Sequence, residues 1–405
     1  MSLAEAAPVP ELPVKVKVSR DSFLLASSLF LIIATTNILT PLLPDIRTDF
    51  GVSIATAGFI VGAYGLARLV VDLPAGFIAD RVGHRRMSLF ALGLLVIASL
   101  IGLNAGSVIV LIVSRATSGV AVAILATIIL SALSSTATAA NRGKVMSLFH
   151  VANNIGIAIY PLLGGVVGAV FGWRATFAVT AVLVALAGVI LLPVLRRVDP
   201  RQRTATRASA PSRRVLFGRD RAVAIAATNV GVVANMVNRH GFRNTILPLY
   251  AATSLGLGGV SIASAIALMS ATGLIVATPG GMLGDRVGRR RIITAGLAAI
   301  AVGDLIFLFT GDYLTFLLAA GLIGFGDFFS SSQTALLSEI VPPEQRTRVL
   351  SGYRFSADLG AFVGPVALAA VMDLTNAKTA IVVAVVVLLA ASLVARLGVP
   401  SRVDL

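Results

Sequence analysis

The sequence predicts an all-α membrane protein of twelve transmembrane helices in two pseudo-symmetric six-helix bundles. Three observations carry that expectation. The 405-residue chain is 57% hydrophobic and 13% charged, whereas about a quarter of the residues of a soluble globular domain are charged. Apolar runs recur along nearly all of it, each of the roughly 18 residues or more needed to cross a hydrocarbon core about 30 Å thick. Finally, the stretch 74–86, Pro-Ala-Gly-Phe-Ile-Ala-Asp-Arg-Val-Gly-His-Arg-Arg, returns at 279–291 as Pro-Gly-Gly-Met-Leu-Gly-Asp-Arg-Val-Gly-Arg-Arg-Arg, so the second half repeats the first.

After a Pro- and Lys-bearing tail (1–21), helix 1 is expected over 22–43, closing in Thr40-Pro41-Leu42-Leu43-Pro44. Helices 2 to 6 follow at 54–79, 87–103, 107–130, 145–170 and 176–195, each a long apolar run. Residues 196–221 hold nine Arg, two Asp and no apolar period, and read as a basic cytoplasmic linker between two bundles, 22–195 and 222–397. Helices 7 to 12 are expected at 222–249, 260–283, 292–310, 313–337, 349–371 and 380–397, before a short cytoplasmic tail, 398–405. The repeat extends beyond the first motif. Asn141-Arg142-Gly143-Lys144-Val145-Met146-Ser147 aligns with Gln345-Arg346-Thr347-Arg348-Val349-Leu350-Ser351, and Gly156 and Pro161 align with Gly360 and Pro365.

A net charge of +15 invites a reading as a nucleic-acid binder, but the distribution of charge points to a bilayer instead. Of 33 Lys and Arg, 25 fall in the tails and alternate loops on one side, while only Arg47, Arg174 and Lys378 fall in the loops opposite. This positive-inside asymmetry puts both termini in the cytoplasm and the chain in a plasma (inner) membrane, without a nucleic-acid partner. No cleavable signal peptide is expected, because the first 20 residues are polar. With no cysteine, disulfides, thiolate metal sites and cysteine nucleophiles are excluded. The three His (84, 150, 240) have no metal-ligand spacing, and no phosphate-binding Gly-rich loop is present. Neither an enzyme nor an ATP-driven pump is expected.

The motif Gly76-x-x-x-Asp80-Arg81-x-Gly83-x-Arg85-Arg86 resembles the loop between helices 2 and 3 of the major facilitator superfamily. Its copy, Gly281-x-x-x-Asp285-Arg286-x-Gly288-x-Arg290-Arg291, resembles the loop between helices 8 and 9. The resemblance implies the duplicated six-plus-six fold and alternating access to a mid-membrane site. It also implies a conformational latch. Asp80 would face the start of helix 11 near 349–351, and Asp285 the start of helix 5 near 145–147. A carboxylate at a helix amino terminus is worth roughly 0.3–1 kcal/mol, enough to bias two states without locking either. From the residues alone, the same loops also read as hydrated hairpins whose Arg residues hold topology.

Two further stretches carry the resemblance. Arg115-Ala116-Thr117-Ser118-Gly119 resembles the family's helix-4 motif, whose Arg is implicated in proton coupling, with Ser118 in place of the usual Gln. Helix 5 holds Gly156-Ile-Ala-Ile-Tyr160-Pro161-Leu-Leu-Gly164-Gly165, similar to the glycine-rich motif associated with antiporters, although Tyr160 replaces its central Gly. Helix 11 keeps Gly360-x-x-x-Gly364-Pro365. Small residues permit close helix approach and Pro permits a kink, whichever way a substrate moves.

Ionisable groups inside membrane helices mark function by default, since each costs about 2.5–3.5 kcal/mol or more on insertion. Arg68 and Asp72 lie one turn apart in helix 2, either a structural ion pair or a protonatable site. Asp72 precedes the loop Asp by two turns, about 12 Å above it. Arg115 has no carboxylate in its own helix and needs a partner elsewhere. Asp327 in helix 10 and Asp358 in helix 11 complete the proton-coupling candidates, with Asp304 in helix 9 set aside because that helix is peripheral in the family fold. Arg354 pairs in sequence with Asp358, and His150 and Asn154 stand at the equivalent places in helix 5. Helix 1 lacks an acidic residue and offers Asn37, while helix 7 offers Asn235, Asn238, Arg239, His240, Arg243 and Asn244. The candidate cavity set is therefore Asn37, Arg68, His150, Asn154, Asn238, Arg239, Arg243 and Arg354. Arg239 and Arg243 also read as side chains that snorkel to the interface.

The expected function is proton-driven efflux of a small organic molecule by a monomer that uses the proton-motive force and no cofactor. The alternative is symport or facilitated uptake of a small, anionic solute, because five intramembrane Arg outnumber four Asp. A membrane sensor signalling through the linker is the third reading.

Overall fold

The computed structural model describes residues 18–138, 141–198, 218–342 and 345–400. The termini and most of the linker lie outside the described residues, as do the side chains of Asp80 and Asp285 and the flanking Gly76 and Gly281. The latch contacts expected of those residues therefore fall outside the description.

Among the described residues, twelve helical spans follow one another: α1 (Arg20–Phe50), α2 (Ile54–Val82), α3 (His84–Leu103), α4 (Val108–Thr136), α5 (Arg142–Phe171), α6 (Ala175–Arg197), α7 (219–255), α8 (Gly259–Val287), α9 (Arg289–Phe309), α10 (Tyr313–Ile340), α11 (Arg346–Leu374) and α12 (Ala377–Gly398). Among the described residues, all but α7 contain a single stretch long and apolar enough to cross a bilayer. The exception carries its polar residues in mid-span. The helix bounds extend a few residues past the expected ones, most of all in α1. Pro41 only breaks that helix, through a 3-10 turn at Thr40–Leu42. Pro44 then sits in the first turn of a new segment, Leu43–Phe50, where no N–H is needed.

The repeated motif forms a tighter junction than a loop. Asp80, Arg81 and Val82 end α2, His84 begins α3, and Gly83 alone separates them at φ 102°. Gly288 does the same between α8 and α9 at φ 100°. Only glycine adopts such an angle without strain, which is why the repeat keeps it.

Two apolar cores organise the molecule. One is built from α1 to α6, from Leu25 to Leu195. The other is built from α7 to α12 and, among the described buried residues, takes in Leu43 and Ala57 from the first half. Those two residues lie at the face opposite the termini, where the halves meet. There the glycines of α2 press on α11: a Cβ at Gly65 would sit 2.9 Å from the Ala361 backbone, and one at Gly62 would sit 2.8 Å from Val366. The Ile54 amide donates to Asp373 Oδ1 at 3.1 Å across the same seam. On the far side of the bundle, Gly165 of α5 packs on Gly259 and Ala263 of α8. The face distal to the termini is thus closed by two helix pairs related by the repeat. A third tie, Arg174 on Asp49 at 2.6 Å and on the Ala105 carbonyl at 3.0 Å, pins the distal ends of the first half together.

The glycine-rich segments of α5 and α11 serve this packing. Gly164 lies directly against the Ile38 carbonyl of α1, and Gly364 against the backbone of Val237 and Gly241 in α7.

Candidate functional site

Among the described residues, a pair of adjoining cavities lies between the halves. The larger, about 190 Å³, is walled by α1, α2, α4, α7 and α11. Leu39, Leu43, Ile46, Ile60 and Val61 make its apolar side; Tyr64, Arg68, Arg115, His240, Asn244 and Asp358 make its polar side. The smaller, about 80 Å³, is polar, with Asn37, Asn154, Arg239, Arg243, Asn244, Ser270 and Asp327 among its lining residues. Asn244 lines both, so the two adjoin at that side chain.

Arg68 joins the halves. Its guanidinium lies 3.4 Å from Asp72 Oδ2 in its own helix and 3.5 Å from Asp358 Oδ1 in α11. The expected pair is therefore a triad, with one cation between two carboxylates from different repeats. Tyr64, one turn before Arg68, ties this triad to α1 and α4. Its hydroxyl shares a 2.8 Å hydrogen bond with Thr36, and its ring lies under both Arg68 (6.0 Å) and Arg115 (5.1 Å). Arg115, only 5% exposed, finds the partner its own helix lacks in the Thr35 carbonyl, to which it donates at 2.6 Å.

A second network fills the other half. Val237–Ile246 in α7 is wound as a π-helix, a wide turn that recurs at functional sites. It brings Asn238, Arg239, Arg243 and Asn244 inward together. Arg243 donates two parallel hydrogen bonds to Asp327, at 2.7 and 3.0 Å, and its Nε donates to Asn238 Oδ1 at 2.9 Å. Asn238 in turn donates to Asp304 Oδ2. Asp327 reaches this network because α10 narrows to a 3-10 turn at Asp327–Phe329.

The candidate residues thus separate. Asn37, Arg68, Arg115, Asn154, Arg239, Arg243, Asp327 and Asp358 all line a cavity. Asp72 stands behind Arg68. Asn238 lines neither cavity; its amide bridges Arg243 and Asp304. His150 and Arg354 line neither cavity and are exposed. Tyr64 is absent from the sequence candidates, and Asp304, which they also leave out, lines neither cavity. The signal for Tyr64 was a lone hydroxyl one turn from Arg68. Asp304 is nonetheless fully buried and faces α7, where Asn238 donates to it.

A duplicated helical bundle sealed at one face, with charged cavities between its halves, has the architecture of a membrane transporter rather than an enzyme. A model of the Major Facilitator Superfamily matches residues 25–242 and 233–404, and the chain belongs to that family. The chloramphenicol resistance protein of Streptomyces lividans is 27% identical over 299 residues, 70% of this chain and 75% of that protein. The cephamycin export protein of Amycolatopsis lactamdurans is 34% identical over 151 residues, 37% of this chain but only 31% of that protein's length. Among solved structures, a bacterial homologue of the human lysosomal transporter Spinster, inward-facing and occupied, superposes with a TM-score of 0.76 at 15% identity. The match covers 95% of this chain and 97% of that one. At that identity the likeness extends to the fold alone.

Proposed function

We propose that the chain exports a small organic molecule by alternating access, in exchange for protons. The observation that carries this reading is Arg68, shared between Asp72 of the first repeat and Asp358 of the second at the edge of the larger cavity. One guanidinium neutralises one carboxylate, and a second ionised carboxylate away from water is costly unless it takes up a proton. Protonating Asp358 would weaken a charged tie between the halves, so proton occupancy and the rocking of the two bundles become linked. The relatives from Streptomyces and Amycolatopsis, a chloramphenicol resistance protein and a cephamycin export protein, favour export as the direction. In this reading the chain works as a monomer, on the proton-motive force and without a cofactor. It sits in the plasma membrane with the basic linker and both termini in the cytoplasm. Uptake of a small anion is the second reading, favoured by the guanidiniums that line both cavities.

Everted vesicles test the direction. Vesicles with an acidic lumen, incubated with a mixed library of small organic compounds, are expected to accumulate at least one of them about tenfold, read by mass spectrometry of the lumen. Asp72→Asn is expected to lose that gradient-driven accumulation while retaining exchange at equal concentrations. Accumulation indifferent to the gradient would remove antiport from the account, and an Asp72→Asn protein with normal gradient response would make Asp72 structural.

A further inference from the structure

Two guanidiniums face the interior without a carboxylate at ion-pair distance among the described residues. Arg115, 5% exposed, has only the Thr35 carbonyl and the Tyr64 ring. Arg239 lines the smaller cavity and makes no hydrogen bond or ion pair among the described residues. The neighbouring Asp327 is already held by both terminal nitrogens of Arg243. Taken together, the two cavities are lined by Arg68, Arg115, Arg239 and Arg243 against Asp327 and Asp358; Asp72 behind Arg68 and Asp304 behind Asn238 bring the carboxylates to four, but none of these four makes an ion pair with Arg115 or Arg239.

A guanidinium without hydrogen-bond partners inside a membrane protein is costly. Here the Arg239 guanidinium is directed at open space, while the neighbouring Asp327 is engaged by Arg243, so the hydrogen-bond partner of Arg239 belongs to whatever enters. Around Arg239 stand the side-chain amides of Asn37, Asn154 and Asn244, which are N–H donors suited to carboxylate oxygens. A guanidinium adds the planar, two-pronged geometry that matches a carboxylate. Across Asn244 the wall turns apolar, at Leu39, Ile46, Ile60 and Val61.

We propose that the molecule carried is a small organic monoanion with an apolar body. Its carboxylate would seat on Arg239 among Asn37, Asn154 and Asn244, and its body in the larger cavity below Arg115. This inference rests on the reading of these cavities as the transport site, but not on direction or on proton coupling. Fixed positive charge in a low-dielectric cleft raises the local concentration of anions and excludes organic cations of the same shape.

The test is binding to the purified full chain in detergent, which is independent of gradients. Benzoate, salicylate and octanoate are each compared with the corresponding primary amide and amine by thermal shift. At least one carboxylate is expected to raise the melting temperature while its amide and amine do not. Arg239→Gln is expected to weaken that carboxylate at least tenfold, with Arg239→Lys restoring part of the affinity. Should Arg239→Gln fail to fold, Asn154→Ala is expected to weaken the same carboxylate severalfold. Stabilisation by amines or amides equal to that by carboxylates, or no carboxylate effect at all, overturns the proposal. So does a folded Arg239→Gln or Asn154→Ala that binds as the parent does. A chain that binds carboxylates yet fails the vesicle test would retain this substrate class and lose the export mechanism.

Discussion

Asp327→Ala is expected to cost about 3–5 kcal/mol of stability, the usual cost of removing one partner of a buried ion pair. The side chain of Arg243 is 6% exposed and that of Asp327 is 18% exposed, so little water reaches either. Without the carboxylate, two N–H donors and a full charge are left in the bundle, while Asn238 meets only the Nε–H. The loss comes from stranding the charge, not from the worth of the pair. Asp327→Leu combined with Arg243→Met, which replaces both partners with apolar side chains, is therefore expected to recover most of it. Equilibrium unfolding in mixed micelles measures both. A loss below about 1 kcal/mol in the single variant would mean that water solvates Arg243 from the cavity.

Gly164→Val is expected to be the most damaging change in the glycine-rich segment of α5. A Cβ there would run into the Ile38 carbonyl, which is backbone and cannot turn aside as a flexible side chain does. The helix has to move off α1, and overpacking of this kind costs about 1–3 kcal/mol, occasionally more. The companion substitution is Gly93→Ala on the exposed side of α3, where an added Cβ meets nothing within 4 Å. It is expected to stabilise by roughly 0.5–1 kcal/mol, because alanine loses less backbone freedom in a helix. If both changes shift the unfolding midpoint equally, close packing is not what the α5 glycines provide.

The fold was legible because its determinants are local and repeated. Span length, the Lys and Arg asymmetry and the doubled motif each constrain the chain without reference to distant contacts. Within the site, legibility followed the same line. Arg68 and Asp72 are neighbours on one helix, so their spacing alone predicted the pair. Asp358 joins them from a helix almost three hundred residues away, and no sequence period reports that contact. The π-wound segment of α7 was visible only as a polar interruption. Its winding decides that Asn238 turns to Asp304 while Arg239 faces the smaller cavity, a separation that ordinary helical spacing does not predict. Asp304 lines neither cavity but is buried against α7. An acidic residue in an apolar helix signals an inward face, since a carboxylate turned toward lipid is costly.

The central claim is that proton occupancy of the Arg68–Asp72–Asp358 triad governs the tie between the two halves. The chain has no native cysteine, so spin labels can be placed at Ala55→Cys on α2 and Leu374→Cys on α11, either side of the sealed distal seam. Distance distributions between them, taken at pH 8 and pH 5.5 in lipid nanodiscs, test the claim most directly. The account predicts a longer-distance population that grows as pH falls, and a distribution insensitive to pH once Asp358→Asn is introduced. Distributions that coincide at both pH values in the otherwise native protein, or a pH response that survives Asp358→Asn, would contradict it.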